Sequence, residues 1–186
     1  VQVDMKRRRQ RVLTDAPGLN AGADLDRKGQ RIVLSMTADG RVDLFVLDVK
    51  TGNRRRLTRS STVESSPAWG PEGRHIVFVA ARAGKPQLYT LSIDNGETQR
   101  LETGAGEAVS PDWSAVSNRI CYSTKRGGQY VLATLDMDKD DARPDIVAKK
   151  GGDWKSPAWG PDGRHVLAVR SADGTNELCL VDTWYG

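Results

Sequence analysis

The apolar residues of this chain fall into short runs that recur at a nearly constant spacing along its 186 residues. One such run, Ile76–Val79, is rich in β-branched residues and too short for a helix, so it predicts a strand. It follows Gly70–Gly73, a Gly-Pro-Glu-Gly sequence typical of a tight turn, and precedes a loop that contains Gly84. No segment has a convincing period of 3.6 residues. The pattern therefore predicts an all-β protein with many short strands.

The runs belong to a repeat of roughly 44 residues, which appears when the chain is aligned with itself. The sequence AWGPEGRHIVF at Ala68–Phe78 returns as AWGPDGRHVLA at Ala158–Ala168. A large apolar anchor residue marks the same position of all four copies: Leu25, Trp69, Trp113 and Trp159. A second block keeps the same phase and begins at Leu44, Leu88, Leu132 and Leu178. The agreement over many positions establishes the repeat.

Each repeat predicts four antiparallel strands, and four-stranded units repeated around an axis are typical of a β-propeller. We expect one domain over residues 1–186, with repeats at about 15–58, 59–102, 103–148 and 149–186. The third repeat departs from the pattern, because its first turn, Ser114–Asn118, has neither Pro nor Gly. Asn118 is the residue there that best tolerates a left-handed backbone.

The two ends of the chain raise the question of how the propeller closes. The segment around Val3 aligns with the last part of a repeat, and Leu13 aligns with Leu57, whereas the fourth repeat lacks its last strand. We expect the N-terminal strand, within residues 3–14, to complete the last blade and hide its edge, with Leu13 beside the strand of Leu178 and Leu180. The alternatives are part of a six-bladed ring, or a ring shared by two chains as a homodimer.

The repeat also resembles a known family. The sequence SPAWGPEGRHIVF at Ser66–Phe78, followed by QLYTL at Gln87–Leu91, is similar to the WD40-like PD40 repeat of TolB-type propellers. The resemblance implies a periplasmic protein that binds other cell-envelope proteins, such as the peptidoglycan-associated lipoprotein of the Tol-Pal system. PD40 repeats also occur in the non-catalytic propellers of prolyl-oligopeptidase-type peptidases, so an accessory domain of a peptidase or other hydrolase is the alternative.

Composition and motifs narrow the function further. The net charge of +4 is too small to indicate nucleic-acid binding, and no apolar run is long enough for membrane insertion. Searches for Gly-x-Ser-x-Gly, His-Glu-x-x-His and a Walker loop find nothing, so we expect no enzyme activity and no cofactor. His75 and His165 share a repeat position on different blades and are not expected to bind metal. Cys121 and Cys179 are expected to be free thiols.

The connections between blades gather at the two faces of a propeller, where a protein partner would bind. The candidate surfaces are the loops between second and third strands and those between blades, and the first set is basic, which suits an acidic partner. The candidate partner-binding residues are Arg41, Arg82, Lys85, Lys125, Arg126 and Arg170, together with Trp154. The anchors Trp69, Trp113 and Trp159 are expected to pack between blades instead. A small ligand in the central channel is a further hypothesis.

Overall fold

The computed structural model describes residues 2–4, 9–104 and 106–184, with side chains from residue 11 onward. All of the regular secondary structure in these residues is β-strand, so the all-β prediction is confirmed. The first nine strands are β1 Gln2–Asp4, β2 Arg9–Arg11, β3 Asn20–Leu25, β4 Arg31–Ala38, β5 Arg41–Asp48, β6 Arg54–Arg56, β7 Glu64–Trp69, β8 His75–Ala80 and β9 Gln87–Ser92. The others are β10 Thr98–Arg100, β11 Ala108–Trp113, β12 Arg119–Arg126, β13 Gln129–Asp136, β14 Asp145–Ala148, β15 Asp153–Trp159, β16 His165–Ala172 and β17 Thr175–Asp182.

The strands form four consecutive antiparallel sheets, which are the blades of a propeller. Blades one, two and three have four strands each, β3–β6, β7–β10 and β11–β14, and blade four has three, β15–β17. The innermost strand of each blade contacts the innermost strand of the next, from β3 through β7 and β11 to β15. The described strands β15 and β3 make no comparable contact, so the four blades form an open arc. The predicted propeller architecture is confirmed.

A bulge interrupts the innermost strand of every blade at the same repeat position. The bulge residue has a left-handed backbone in each case: Gly22 at φ 62°, Ser66 at 50°, Ser110 at 51° and Ser156 at 50°. In the last three blades the next residue is proline, which has no N–H to leave unpaired where the ladder breaks. The bulges turn these backbones towards the central channel.

Apolar contacts between neighbouring blades form the core. Trp69 is 4% exposed and packs with Val33 and Val46 of blade one and with Ile76 of its own blade. Trp113 and Trp159 lie in the next two clusters along the arc. The guanidinium of Arg31 also stacks over the Trp69 ring, 4.5 Å from its centroid. The prediction that the anchor tryptophans pack between blades is confirmed.

The predicted pairing of the two chain ends is wrong. β1 pairs with β2 in a separate hairpin, whereas β17 has β16 as its only partner among the described strands. Leu13 packs against the cluster of Leu34, Met36, Phe45 and Leu47 in blade one, far from β17 in the sheet order. The last blade is therefore not completed by the N-terminal strand.

The repeat itself explains where the N-terminal hairpin lies. β1 and β2 pair Val3 with Gln10, which is the pairing of Leu47 with Arg54 in blade one shifted by 44 residues. The hairpin thus has the register of the two outer strands of a blade that would precede blade one. Leu57, the equivalent of Leu13, likewise packs onto the blade that follows it. The N-terminal segment therefore packs on blade one in the same way that the end of blade one packs on blade two.

The unusual turn of the third repeat is stabilised by side chains in place of proline and glycine. The buried Ser114 hydroxyl accepts hydrogen bonds from the backbone N–H groups of Val116 and Ser117, at 3.3 and 3.1 Å. Asn118 has φ 42°, which confirms that it supplies the left-handed conformation. Its side-chain oxygen also accepts a hydrogen bond from the Trp113 indole at 3.0 Å.

Candidate functional site

One end of the arc, the loop face, carries the loops between second and third strands and the loops between blades. Because all blades are antiparallel meanders, these two sets of loops lie at the same end of their sheets. The loop face comprises residues 39–40, 81–86, 127–128 and 173–174, together with 57–63, 101–104, 106–107 and 149–152. The seven predicted partner-binding residues lie in these loops or at the strand ends beside them. Their side chains have three different environments.

Arg82 lies at the surface but pairs with a carboxylate buried inside blade two. Its guanidinium donates to the carboxylate of Glu64 at 2.6 Å and to the Thr98 hydroxyl at 2.9 Å. It also lies 4.8 Å from the centroid of the Tyr89 ring. The Glu64 side chain is fully buried, so Arg82 is the counter-charge that this carboxylate needs. The sequence marks Arg82 as a loop cation but does not show this partner.

Arg170 is also paired, but closer to the surface. Its Nε donates to a carboxylate oxygen of Glu177 on the neighbouring strand at 2.9 Å. This hydrogen bond raises the pKa of Arg170. Both side chains are one-third to one-half exposed, so the pair neutralises the charge of Arg170 and contributes little stability.

Trp154 lies in the core, which corrects its assignment to a surface loop. β15 begins one residue earlier than Trp154, and the indole turns towards blade three, where it packs in a cluster with Leu132 and Val166. It is 7% exposed, and its Nε1 donates to the Lys150 carbonyl at 3.1 Å. The ring is therefore not presented to a partner in this structure.

The other four predicted residues are exposed cations of the loop face, whose loops between blades also carry the exposed Arg59, Lys149 and Lys150. Arg41, Lys85, Lys125 and Arg126 are exposed. None of them takes part in the ion pairs found between described residues. The Lys125 ammonium lies 5.9 Å from the centroid of the Tyr130 ring, a long cation–π contact. These four side chains thus contribute exposed positive charge to the loop face.

The central channel holds two carboxylates that the sequence analysis did not single out. Asp24 and Asp112 each accept a hydrogen bond from the backbone N–H of the anchor tryptophan in the next blade, at 2.7 Å from Trp69 and 2.6 Å from Trp159. Burial raises the pKa of both, that of Asp112 to about 6. The signal in the sequence is an aspartate directly before the anchor in the first and third repeats, where the second and fourth have alanine.

The bulges of the four innermost strands line a small, open cavity of about 310 Å³ beside these carboxylates. It is lined by residues 22–24, 66–68, 110–112 and 156–158. The described residues include no group of three or more metal-ligating side chains, here or elsewhere. The small-ligand hypothesis for the channel stays a prediction.

The two histidines lie on the opposite end of the arc from the loop face. His165 Nδ1 is 2.6 Å from the carboxylate of Asp162 in the turn before it, and this contact keeps the pKa of Asp162 well below its usual value. Cys121 is buried and Cys179 is half-buried, and both are free thiols. A search of the described residues for a helix that is long and apolar enough to cross a membrane found none.

Solved structures similar to this chain share its fold at low sequence identity. TolB from Acinetobacter baumannii superposes with a TM-score of 0.86 at 22% identity, over 98% of this chain and 45% of its own. A putative TolB from Agrobacterium tumefaciens gives 0.76 at 20% identity, over 87% of this chain and 61% of its own. A puromycin-hydrolyzing peptidase from Mycobacterium tuberculosis gives 0.74 at 14% identity, over 93% of this chain and 29% of its own. The chain thus spans about half the length of the TolB structures that it matches.

Among curated proteins, no sequence matches this chain. The family model that describes the TolB β-propeller domain, PD40, matches residues 1–184. That match covers nearly the whole chain and agrees with the repeat, the four blades and the similarity to the two TolB structures. The chain belongs to the TolB β-propeller domain family, PD40.

Proposed function

We propose that this chain is a non-enzymatic, protein-binding propeller module of the bacterial cell envelope, which binds an acidic protein surface through its loop face. The observation that carries the proposal is a group of exposed cations on that face that form no ion pair with another described residue: Arg41, Lys85, Lys125 and Arg126. A periplasmic location, and an envelope lipoprotein of the Tol-Pal type as the partner, follow from kinship with TolB and belong to the proposal.

The environment of each cation supports this choice of surface. Arg82 and Arg170 already face carboxylates of their own blade, so their charges are unavailable to a partner. Lys85, Lys125 and Arg126 lie on blades two and three, which are held together by the apolar cluster around Trp113. Charges placed on strand ends and short loops steer an oppositely charged partner and fix its orientation more than they add affinity. The proposal therefore predicts association that weakens as salt is added.

Charge reversal tests the assignment. We expect Lys85→Glu, Lys125→Glu and Arg126→Glu together to weaken binding of a purified peptidoglycan-associated lipoprotein at least tenfold, as measured by calorimetric titration. The matched control is Arg54→Glu with Arg55→Glu, since these residues are exposed cations on the outer strand β6, away from the loop face. Equal binding by the loop-face variant and the wild type would contradict the proposal.

A second candidate is a propeller accessory domain of a peptidase, and the similarity to the puromycin-hydrolyzing peptidase favours it. Such a domain would position or admit substrate for a catalytic domain elsewhere. The reading frame that encodes this chain distinguishes the two: a Gly-x-Ser-x-Gly sequence between a strand and a helix in the same polypeptide supports the accessory role. A frame without any such domain excludes it.

A further inference from the structure

The second strand of every blade begins at the same repeat position, and the residue there differs between blades. The four residues are Arg31 in β4, His75 in β8, Arg119 in β12 and His165 in β16. In blades one and three this arginine extends over the anchor tryptophan of the next blade. The guanidinium of Arg31 lies 4.5 Å from the centroid of the Trp69 ring, and that of Arg119 lies 5.4 Å from the centroid of the Trp159 ring. An arginine thus stacks on the anchor ring at both of these contacts.

Oxygen acceptors complete the environment of these two guanidinium groups. Arg31 donates to the Gly73 carbonyl in the first turn of blade two at 2.9 Å. Arg119 donates to the Thr134 hydroxyl of its own blade at 2.8 Å. An aromatic ring with oxygen acceptors beside it suits the planar guanidinium, which stacks and hydrogen-bonds at the same time. The fold therefore builds a guanidinium site where one blade packs on the next.

The contact between blades two and three has His75 at this position, and a cleft of about 740 Å³ lies there. The anchor ring of Trp113 and the side chains of His75 and Thr90 line it. Thr90 is the repeat equivalent of Thr134, so the cleft keeps the ring and the hydroxyl that hold the guanidinium of Arg119. It lies between two four-stranded blades, away from both ends of the chain.

The charges around the cleft favour a cation. The exposed carboxylates of Glu72 and Asp138 line it, against one guanidinium, that of Arg27. Neither carboxylate forms an ion pair with another described residue. Arg27 donates to the Ala115 carbonyl in the first turn of blade three at 3.2 Å, which ties its side chain to that turn. Excess negative charge beside an aromatic ring attracts a cationic group.

We propose that this cleft binds the guanidinium group of an arginine side chain on an exposed chain segment of another protein. The bound group stacks on the ring of Trp113, as Arg119 stacks on Trp159 at the next contact. The Thr90 hydroxyl and the Glu72 carboxylate accept its hydrogen bonds. The cleft lies at the end of the arc opposite the loop face, so this inference is independent of the proposed function.

The size and rim of the cleft favour an arginine within a chain segment over free arginine. A volume of about 740 Å³ is within the range of pockets that enclose whole small ligands and exceeds what one guanidinium group occupies. Apolar side chains also line the cleft, those of Met137 and of Val116, which is 55% exposed. They contact the methylene stem of the arginine and the residues on either side of it.

Titration with a capped Ala-Arg-Ala tripeptide at pH 7.5 tests the site. Followed by NMR, the indole N–H of Trp113 should shift in a saturable way, with a dissociation constant on the order of 1 mM. Citrulline in place of the arginine keeps the shape without the charge and should weaken binding at least about tenfold. Free L-arginine should bind more weakly than the tripeptide. Equal affinity for the citrulline peptide would overturn the guanidinium site, and equal affinity for L-arginine would overturn binding of a chain segment.

Variants test the site without damaging the fold. His75→Arg supplies the cleft with the guanidinium found at the neighbouring contacts, so it should abolish the saturable shift while the melting temperature stays the same or rises. His165→Arg makes the same change at the same repeat position outside the cleft, and it should bind as the wild type does. Thr90→Val introduces the residue that blade one has at this position, Val46, and should weaken binding about threefold. A wild type without a saturable shift, or a folded His75→Arg variant that binds the tripeptide equally well, overturns the proposal.

Discussion

The backbone N–H of Trp69 donates a 2.7 Å hydrogen bond to the carboxylate of Asp24 in the preceding blade. The same bond joins Trp159 to Asp112 at 2.6 Å, so blade one is connected to blade two, and blade three to blade four, through carboxylates that border the channel. Each bond satisfies an N–H at a bulged strand, but it requires a charged group to be largely removed from water. Burial raises the pKa of both carboxyl groups for that reason.

Stability should fall as the pH rises through the titration of Asp112. The pKa of Asp112 is about 6 in the folded chain and near 3.8 when unfolded. Between pH 3.8 and pH 6 the folded state therefore keeps a proton that the unfolded state releases. The free energy of unfolding begins to fall above pH 4 and stops falling above pH 6, and the total decrease is about 3 kcal/mol at most. Asp112→Asn keeps an acceptor for Trp159 and should remove this part of the pH dependence.

Urea denaturation at pH 4.5 and pH 7.5 measures the effect. Asp140→Asn, in an exposed loop, is the control and should follow the wild type at both pH values. If Asp112→Asn shows the same loss of stability as the wild type, then Asp112 is not the titrating group.

Removing Arg82 should destabilise the fold through the charge it leaves behind. Arg82→Met strands the fully buried Glu64 carboxylate, which costs about 3 kcal/mol or more of unfolding free energy. Adding Glu64→Gln should recover most of that loss, because the buried group is then neutral. Arg170→Met, at the exposed pair with Glu177, should cost less than about 1 kcal/mol.

A double-mutant cycle from urea denaturation tests this pair. Additive effects of Arg82→Met and Glu64→Gln would show that the two side chains do not interact, contrary to the structure.

The loss of stability on truncating an anchor residue should depend on how deeply its side chain is buried and not on its position in the repeat. Trp69→Ala removes a 4% exposed ring from the contact between blades one and two and should cost about 3–5 kcal/mol. Leu25→Ala changes the equivalent residue of the first repeat, which is 51% exposed, and should cost less than about 1 kcal/mol. Comparable losses in thermal or urea unfolding would mean that a further contact covers Leu25.

The N-terminal segment should stabilise blade one and not blade four. Leu13→Asp places a charge against the cluster of Leu34 and Met36 and should speed hydrogen exchange in β4 and β5. Val12→Asp, at a neighbouring residue that is 65% exposed, is the control and should leave that exchange unchanged. Faster exchange in β16 and β17 would instead support closure of the arc by the N-terminal strand.

Much of the fold could be predicted because the same pattern of strands and turns occurs four times in the sequence. The anchor tryptophans, the turns and the strand order all follow from a 44-residue alignment, and the bulge prolines share its phase. The alignment of Leu13 with Leu57 was equally correct, yet the expected location of Leu13 was wrong. Leu57 packs on the blade that follows it, so the same rule places Leu13 on blade one and leaves blade four open.

The candidate site was predictable only in part, because the burial of a side chain and the pairing of its charge depend on residues that are distant in the sequence. Arg82 and Lys85 look alike in the sequence, but only Arg82 has a buried carboxylate beside it. Trp154 precedes the repeated part of its strand and therefore looked like a loop residue, yet its indole packs against blade three. These differences leave Arg41, Lys85, Lys125 and Arg126 as the predicted residues that are exposed cations of the loop face.

Hydrogen exchange of the chain with and without the proposed lipoprotein partner tests the proposed function most directly, since it reports where a bound partner lies. The account predicts slower exchange in residues 81–86 and 125–128 of the loop face, and no change in the turn at 70–74 on the opposite end. Protection confined to that opposite end, or to the edge of β17, would contradict it.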